Sequence, residues 1–156
     1  MEYLLRPARP EDAEGISRVV MKTLRETNAK DYSPEVIARV EQSFSPSAVS
    51  DLLVQRLVFV AVNDDAVIGT ASLDGRVVRT VFIEPGWQGR GVGRALMIEV
   101  ERAALDRGVA TLAVPSSVTA EPFYAKLGFI SVRDSYHGEE RTIIMERPLL
   151  DETKVR

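Results

Sequence analysis

The seven residues Gln88-Gly89-Arg90-Gly91-Val92-Gly93-Arg94 constrain this chain more than any others. They stand between a β-branched run at 77–83 and a run at 94–106 that repeats apolar residues at helical spacing through Leu96, Met97, Val100, Ala103 and Ala104. A glycine-rich turn from strand to helix brings several backbone N–H groups to one point, and the first helical turn adds unpaired N–H groups and a partial positive charge. Such a place suits an anion, because hydrogen bonds to a charged acceptor contribute roughly 1.5–3 kcal/mol each. The competing reading is a turn that only packs strand against helix. The glycines by themselves leave both open.

The rest of the chain alternates short β-rich runs with helical ones. Residues 3–6 predict a strand and 11–27 an amphipathic helix through Ile16, Val19, Val20 and Leu24. Ser33-Pro34 is an N-cap followed by a first-turn proline, which predicts a second helix over 34–42, and 43–50 is expected to be loop. Residues 57–62 and 67–73 predict two antiparallel strands joined across Asn63-Asp64-Asp65. After the strand at 77–83 and the helix at 94–106 come a strand at 111–114 ended by Pro115, a short helix at 120–127, and strands at 129–133 and 141–146. The order β-α-α-β-β-β-α-β-α-β-β predicts an α/β (mixed α+β) fold, with one mixed, mostly antiparallel sheet of about seven strands and about four helices. Residues 1–150 are expected to form a single domain and 151–156 a C-terminal tail.

Composition removes several chemistries. No cysteine among 156 residues means no disulfide, thiolate nucleophile or cysteine metal site, and the single His137 cannot form a histidine cluster, so no metal is expected. The net charge of −3 carries no long basic block, which argues against nucleic acid. The first residues lack the apolar core and cleavage site of a leader, and no apolar run approaches the roughly 20 residues of a membrane span. No membrane partner and a cytoplasmic location are the expectations.

The nature of the anion follows partly by exclusion. A P-loop needs Gly-Lys-Ser/Thr where this chain has Gly91-Val92-Gly93, and a dinucleotide fingerprint fails because Arg94 and Leu96 stand three residues beyond Gly91 and Gly93. Gln88-Gly89-Arg90-Gly91-Val92-Gly93 instead resembles the Gln/Arg-x-x-Gly-x-Gly/Ala signature of the GNAT (GCN5-related N-acetyltransferase) superfamily. Phe82-Ile83-Glu84-Pro85 is similar to the lead that precedes that signature. Phe123-Tyr124-Ala125-Lys126-Leu127-Gly128-Phe129 is similar to the Tyr-x-x-x-Gly-Phe element near the C-terminal end of the family.

The resemblance implies acetyl-coenzyme A as donor substrate. The pantetheine arm would lie along the backbone of Phe82 and Ile83, and the pyrophosphate on the N–H groups of Gln88, Gly89, Arg90, Gly91, Val92, Gly93 and Arg94. The side chains of Arg90 and Arg94 are either phosphate contacts or solvated surface, and Trp87 is a packing or lid residue. Tyr124 matches the tyrosine that protonates the departing thiolate, although a core aromatic beside Phe123, Leu127 and Phe129 has the same spacing. Where the family often carries Asn, seven residues earlier, this chain has Ser117, which with Ser116 is a candidate contact to the cofactor arm.

An alkylamine is neutral in only about one molecule in two thousand at pH 7, a handicap of about 4.6 kcal/mol, so a proton acceptor is expected. Glu84 is the first candidate, with Asp74 and His137 behind it. Val77 occupies the strand position where some members carry a glutamate. The implied reaction is direct attack of a primary amine, of a small molecule or a peptide, on the thioester. A non-catalytic acyl-coenzyme A sensor or partner-binding module stays open beside it, as does, more distantly, an unrelated phosphate-binding enzyme. Residues 27–50 and 134–141 would wall the acceptor site. Homodimerisation is common in the family, but no apolar stripe in this sequence demonstrates it.

Overall fold

Asp64 and Asp65 both adopt positive φ, 47° and 63°, and reverse the chain between strands β2 (Leu57–Asn63) and β3 (Ala66–Asp74). Two left-handed residues in succession are what a two-residue hairpin matching the strand twist requires, and Asp tolerates that region. β4 (Val77–Ile83) continues the meander after Gly75, and β1 (Leu4–Pro7) pairs with the far side of β2. The computed structural model describes residues 2–149, so the tail expected at 151–156 lies outside the described residues.

Helix α1 (Ala13–Glu26) turns Ile16, Val19, Val20 and Leu24 inward, as its periodicity predicts. Ser33 caps α2 (Pro34–Glu41) by accepting from Val36 N–H at 3.2 Å. The expected loop at 43–50 is largely a helix, α3 (Pro46–Gln55). Its Ser45-Pro46 start repeats the Ser-Pro signal of α2, with Ser45 Oγ accepting from Ala48 N–H at 3.2 Å. The density of serines hides that start, because serine favours turns as readily as caps.

The remaining elements are α4 (Val92–Asp106), β5 (Thr111–Ser117), α5 (Glu121–Lys126), β6 (Ile130–His137) and β7 (Glu140–Pro148). The seven-stranded sheet has the order β1-β2-β3-β4-β5-β7-β6, antiparallel except where β4 meets β5. Contrary to expectation, β5 does not end at Pro115. Ala113 N–H donates to Arg76 C=O at 3.0 Å, so Ala113, and by alternation Pro115, turns its backbone toward β4. At Pro115 the two strands have already parted, and a missing N–H there forfeits no ladder bond.

α1 and α3 cover one face of the sheet, around Val60, Val62 and Val67. α4 covers the other, where Leu96, Met97 and Val100 meet Ala71, Leu73 and Val78. No helix among the described residues is long and apolar enough to cross a membrane.

Candidate active site

β4 and β5 run parallel but pair at Val77 and Ala113 only. Beyond that point they diverge, leaving a split that opens toward Ile83 and Ser117. β4 is also bulged. Thr80 and Val81 together oppose Ala71, and Thr80 takes a φ of 53°, a strained value for a β-branched residue. Ser72 Oγ donates to Arg79 C=O at 2.6 Å and so satisfies a carbonyl beside the bulge.

Past the bulge the ladder resumes, with Glu84 N–H donating to Ile68 C=O at 2.8 Å. Antiparallel alternation therefore turns Phe82 toward β3 and Ile83 toward the split. Ile83 C=O accepts from Thr23 Oγ1 at 3.2 Å and from Gln88 Nε2 at 3.0 Å. The Gln88 side chain thus ties the glycine turn back to the strand end. Phe82 packs its ring edgewise on Phe44, 6.1 Å between centroids, on the α1 side.

The turn itself begins with one 3-10 turn, Pro85–Trp87, and then runs through Gly89 at φ 77° and Gly91 at φ 85°. Nothing lies within 4 Å of where a Cβ on Gly89 or Gly91 would project, so both face open space. Ala95 N–H makes the first α4 bond, to Gly91 C=O at 3.0 Å, which leaves the N–H groups of Val92, Gly93 and Arg94 without a helical acceptor. These orphan donors and the bare glycines form a backbone cradle of the size and polarity a phosphate needs. The Arg90 guanidinium stacks 4.9 Å above the Trp87 ring, which rests edgewise on Tyr3, and Arg94 is exposed.

Across the split, Ser117 closes the turn into α5. Its Oγ accepts from Ala120 N–H at 3.1 Å, so its lone pairs are partly engaged while its own proton stays free. Tyr124 is 4% exposed and edge-packed between Phe123 and Phe129, at 5.1 and 5.6 Å. Both readings of that tyrosine meet here. The ring is core, yet the hydroxyl has no hydrogen-bond partner among the described residues. Burial pushes the phenol above its ordinary range, which holds its proton in place.

Glu84 sits at the mouth of the split, its Oε1 3.1 Å from Lys22 Nζ. The other two base candidates lie apart from it. Asp74 pairs with Arg79 at 3.3 Å beside the β3–β4 turn, and His137 ends the exposed strand β6, where its carbonyl accepts from Arg39.

Three contacts carry no signal in the sequence, although Tyr32 itself falls within the expected acceptor wall at 27–50. Tyr32 donates to Arg141 C=O at 2.8 Å and accepts from Val118 N–H at 2.7 Å, strapping the α1–α2 segment across to the β5 side of the split. Thr23 caps Ile83, although helical spacing alone marks it as one more inward residue of α1. Arg56, just after α3, reaches Thr80 Oγ1 at 3.1 Å. No local motif announces any of these, because each joins residues far apart in the chain.

A family model described as an acetyltransferase (GNAT) domain matches residues 28–145. The chain is 26% identical over 129 residues to an uncharacterized N-acetyltransferase, YafP, of Escherichia coli K12, covering 83% of this chain and 82% of that one. It is 28% identical over 127 residues to the peptidyl-lysine N-acetyltransferase YjaB of Salmonella typhimurium, covering 80% and 81%. Among solved structures, a GCN5-related N-acetyltransferase of Rhodopseudomonas palustris superposes with a TM-score of 0.88 at 27% identity, over 95% of this chain and 96% of that one. The PaiA N-acetyltransferase of Thermoplasma acidophilum, solved with coenzyme A, shares the fold with a TM-score of 0.81 at 22% identity, over 95% and 99%.

Proposed function

The chain belongs to the GNAT family of N-acetyltransferases, and from that premise we propose that it moves an acetyl group from acetyl-coenzyme A directly to a primary amine. The observation that carries this reading is the β4–β5 split, with Ile83 N–H turned into it and the orphan donors of Val92, Gly93 and Arg94 at its mouth. Those residues would hold the donor. Acetyl-coenzyme A supplies a thioester, an activated acyl group whose sulfur leaves readily.

The chain's own groups account for the remaining steps. Ile83 N–H donates to the carbonyl oxygen where negative charge develops, a contribution typically worth a few kcal/mol in an enclosed site. Glu84 takes the proton released by the amine, directly or through water, as the new C–N bond forms. Tyr124 gives its proton to the sulfur as the C–S bond breaks, which balances the transfer. With Oγ engaged by Ala120, Ser117 still has a hydroxyl proton to offer the cofactor arm. The acceptor enters from the α1–α2 side, beneath the Tyr32 strap.

The test is thiol release from acetyl-coenzyme A across a panel of amines. Acceptor-dependent release with a matching N-acetyl product supports the reading. Donor binding without release for any amine would instead favour a non-catalytic acyl-coenzyme A sensor.

A further inference from the structure

A narrow cleft, open to solvent, lies on the α1–α3 face of the sheet, directly over the β4 bulge. Its walls are apolar, with Phe44, Val49, Leu52 and Leu53 prominent, while Arg56 and Thr80 supply polar groups at its edge. Arg56 is half-buried, and among the described residues its side chain forms no ion pair and one hydrogen bond, to Thr80 Oγ1. A guanidinium carries five N–H donors, so four have no protein acceptor. The charged neighbours are Arg79 and Asp74, and these pair with each other, which leaves one uncompensated positive charge. Withdrawal from water and the nearby Arg79 charge lower the Arg56 pKa, and Asp74 offsets them only in part, a condition that a bound anion relieves. The same Thr80 belongs to the bulge at the head of the split, so a group held by Arg56 lies beside the strand that receives the donor.

We propose that Arg56 and Thr80 form an oxyanion-binding corner of the acceptor site, so that the preferred acceptor is a primary amine carrying a carboxylate or a phosphate. This inference rests on the acetyl-transfer reading. At the open edge of the cleft the guanidinium fork takes two oxygens of the anion.

Matched acceptors test it: an ω-amino acid against its amide, and an aminoalkyl phosphate against the amino alcohol. The wild type is expected to favour the anionic member of at least one pair by about tenfold or more in kcat/KM, mostly through KM. Whichever pair shows the preference identifies the anion. Arg56→Gln should bring the anionic member down to the level of its neutral partner, and Arg56→Lys should restore part of the difference. Equal kcat/KM within both pairs in the wild type, or a uniform fall for every acceptor in Arg56→Gln, overturns the proposal.

A second readout does not depend on turnover. The anionic compounds should raise the melting temperature of the wild type and not of Arg56→Gln. If no amine releases thiol, the transfer reading fails, and this shift still decides Arg56: its presence supports the corner, and its absence overturns it.

Discussion

Gly93 and Phe123 approach so closely that a Cβ on Gly93 would stand 3.0 Å from the ring Cε1 and 3.1 Å from Cζ. Gly93 is in the first turn of α4 and Phe123 directly precedes Tyr124 in α5. The contact therefore couples the proposed donor cradle to the proposed acid across the split.

Gly93→Ala has an allowed backbone conformation, so the helix itself gains up to about 1 kcal/mol. Against this, the ring must give way by a few tenths of an ångström, and overpacking typically costs about 1–3 kcal/mol. The melting temperature should move by only a few degrees. Turnover should fall several-fold as Phe123 carries Tyr124 with it. A variant with wild-type kcat and KM for acetyl-coenzyme A would show that the contact positions nothing.

Tyr124→Phe separates the proposed acid from the core aromatic. The hydroxyl has no partner among the described residues, so its loss should leave the melting temperature close to that of the wild type. Loss of proton donation should lower kcat by about 10²–10⁴-fold with little change in acetyl-coenzyme A affinity. Because burial raises the phenol, the wild-type rate should not decline as pH passes the ordinary tyrosine value of about 10. A full rate in Tyr124→Phe would remove its assigned role.

For Glu84 the signature is a pH profile. Glu84→Gln should depress kcat/KM most near neutrality, where the amine is protonated. The deficit should shrink as pH approaches the amine's own pKa of about 10.4, because the amine then arrives neutral and only the proton released on C–N bond formation remains to be taken up, which hydroxide and water can also accept. Lys22→Gln serves as the control: it removes a partly exposed ion pair worth roughly 0–1 kcal/mol and leaves the carboxylate in place. A constant deficit for Glu84→Gln at every pH would assign that residue to structure.

The glycine turn proposed to hold the donor is legible because its geometry is local. Gln88 to Arg94 is one uninterrupted turn, and a backbone cradle leaves its mark in glycines. The contacts proposed for the acceptor are not. Arg56 and Thr80 are 24 residues apart, Tyr32 and Val118 are 86 apart, and no periodicity reports such pairings. The same distinction runs through the fold. The amphipathic α1 announced its inner face, whereas every residue of β6 is exposed, so no alternation existed to mark its full length. β5 outlasts its expected end at Pro115 because the neighbouring strand has already diverged there, which no sequence pattern reports.

Asp12 offers a prediction about stability rather than turnover. Its carboxylate takes both ends of the Arg6 fork, Nη1 to Oδ2 at 2.8 Å and Nη2 to Oδ1 at 3.1 Å, and accepts from Arg9 N–H at 2.7 Å. This pins β1 to the turn that starts α1. Burial alone would raise the Asp12 pKa, but the bonds from Arg6 and Arg9 outweigh it and hold the carboxyl below its ordinary range. A native pKa below the unfolded value of about 3.9 stabilises the fold above that pH, and the contribution is lost as pH falls through the native value. Asp12→Asn should therefore lower stability at pH 7 by about 1.5–3 kcal/mol, a drop of roughly 5–10 °C in melting temperature for a chain of this length. The gap between variant and wild type should narrow steadily below pH 4. A gap that stayed constant down to pH 2 would show that the side chain acts there through shape and not through charge.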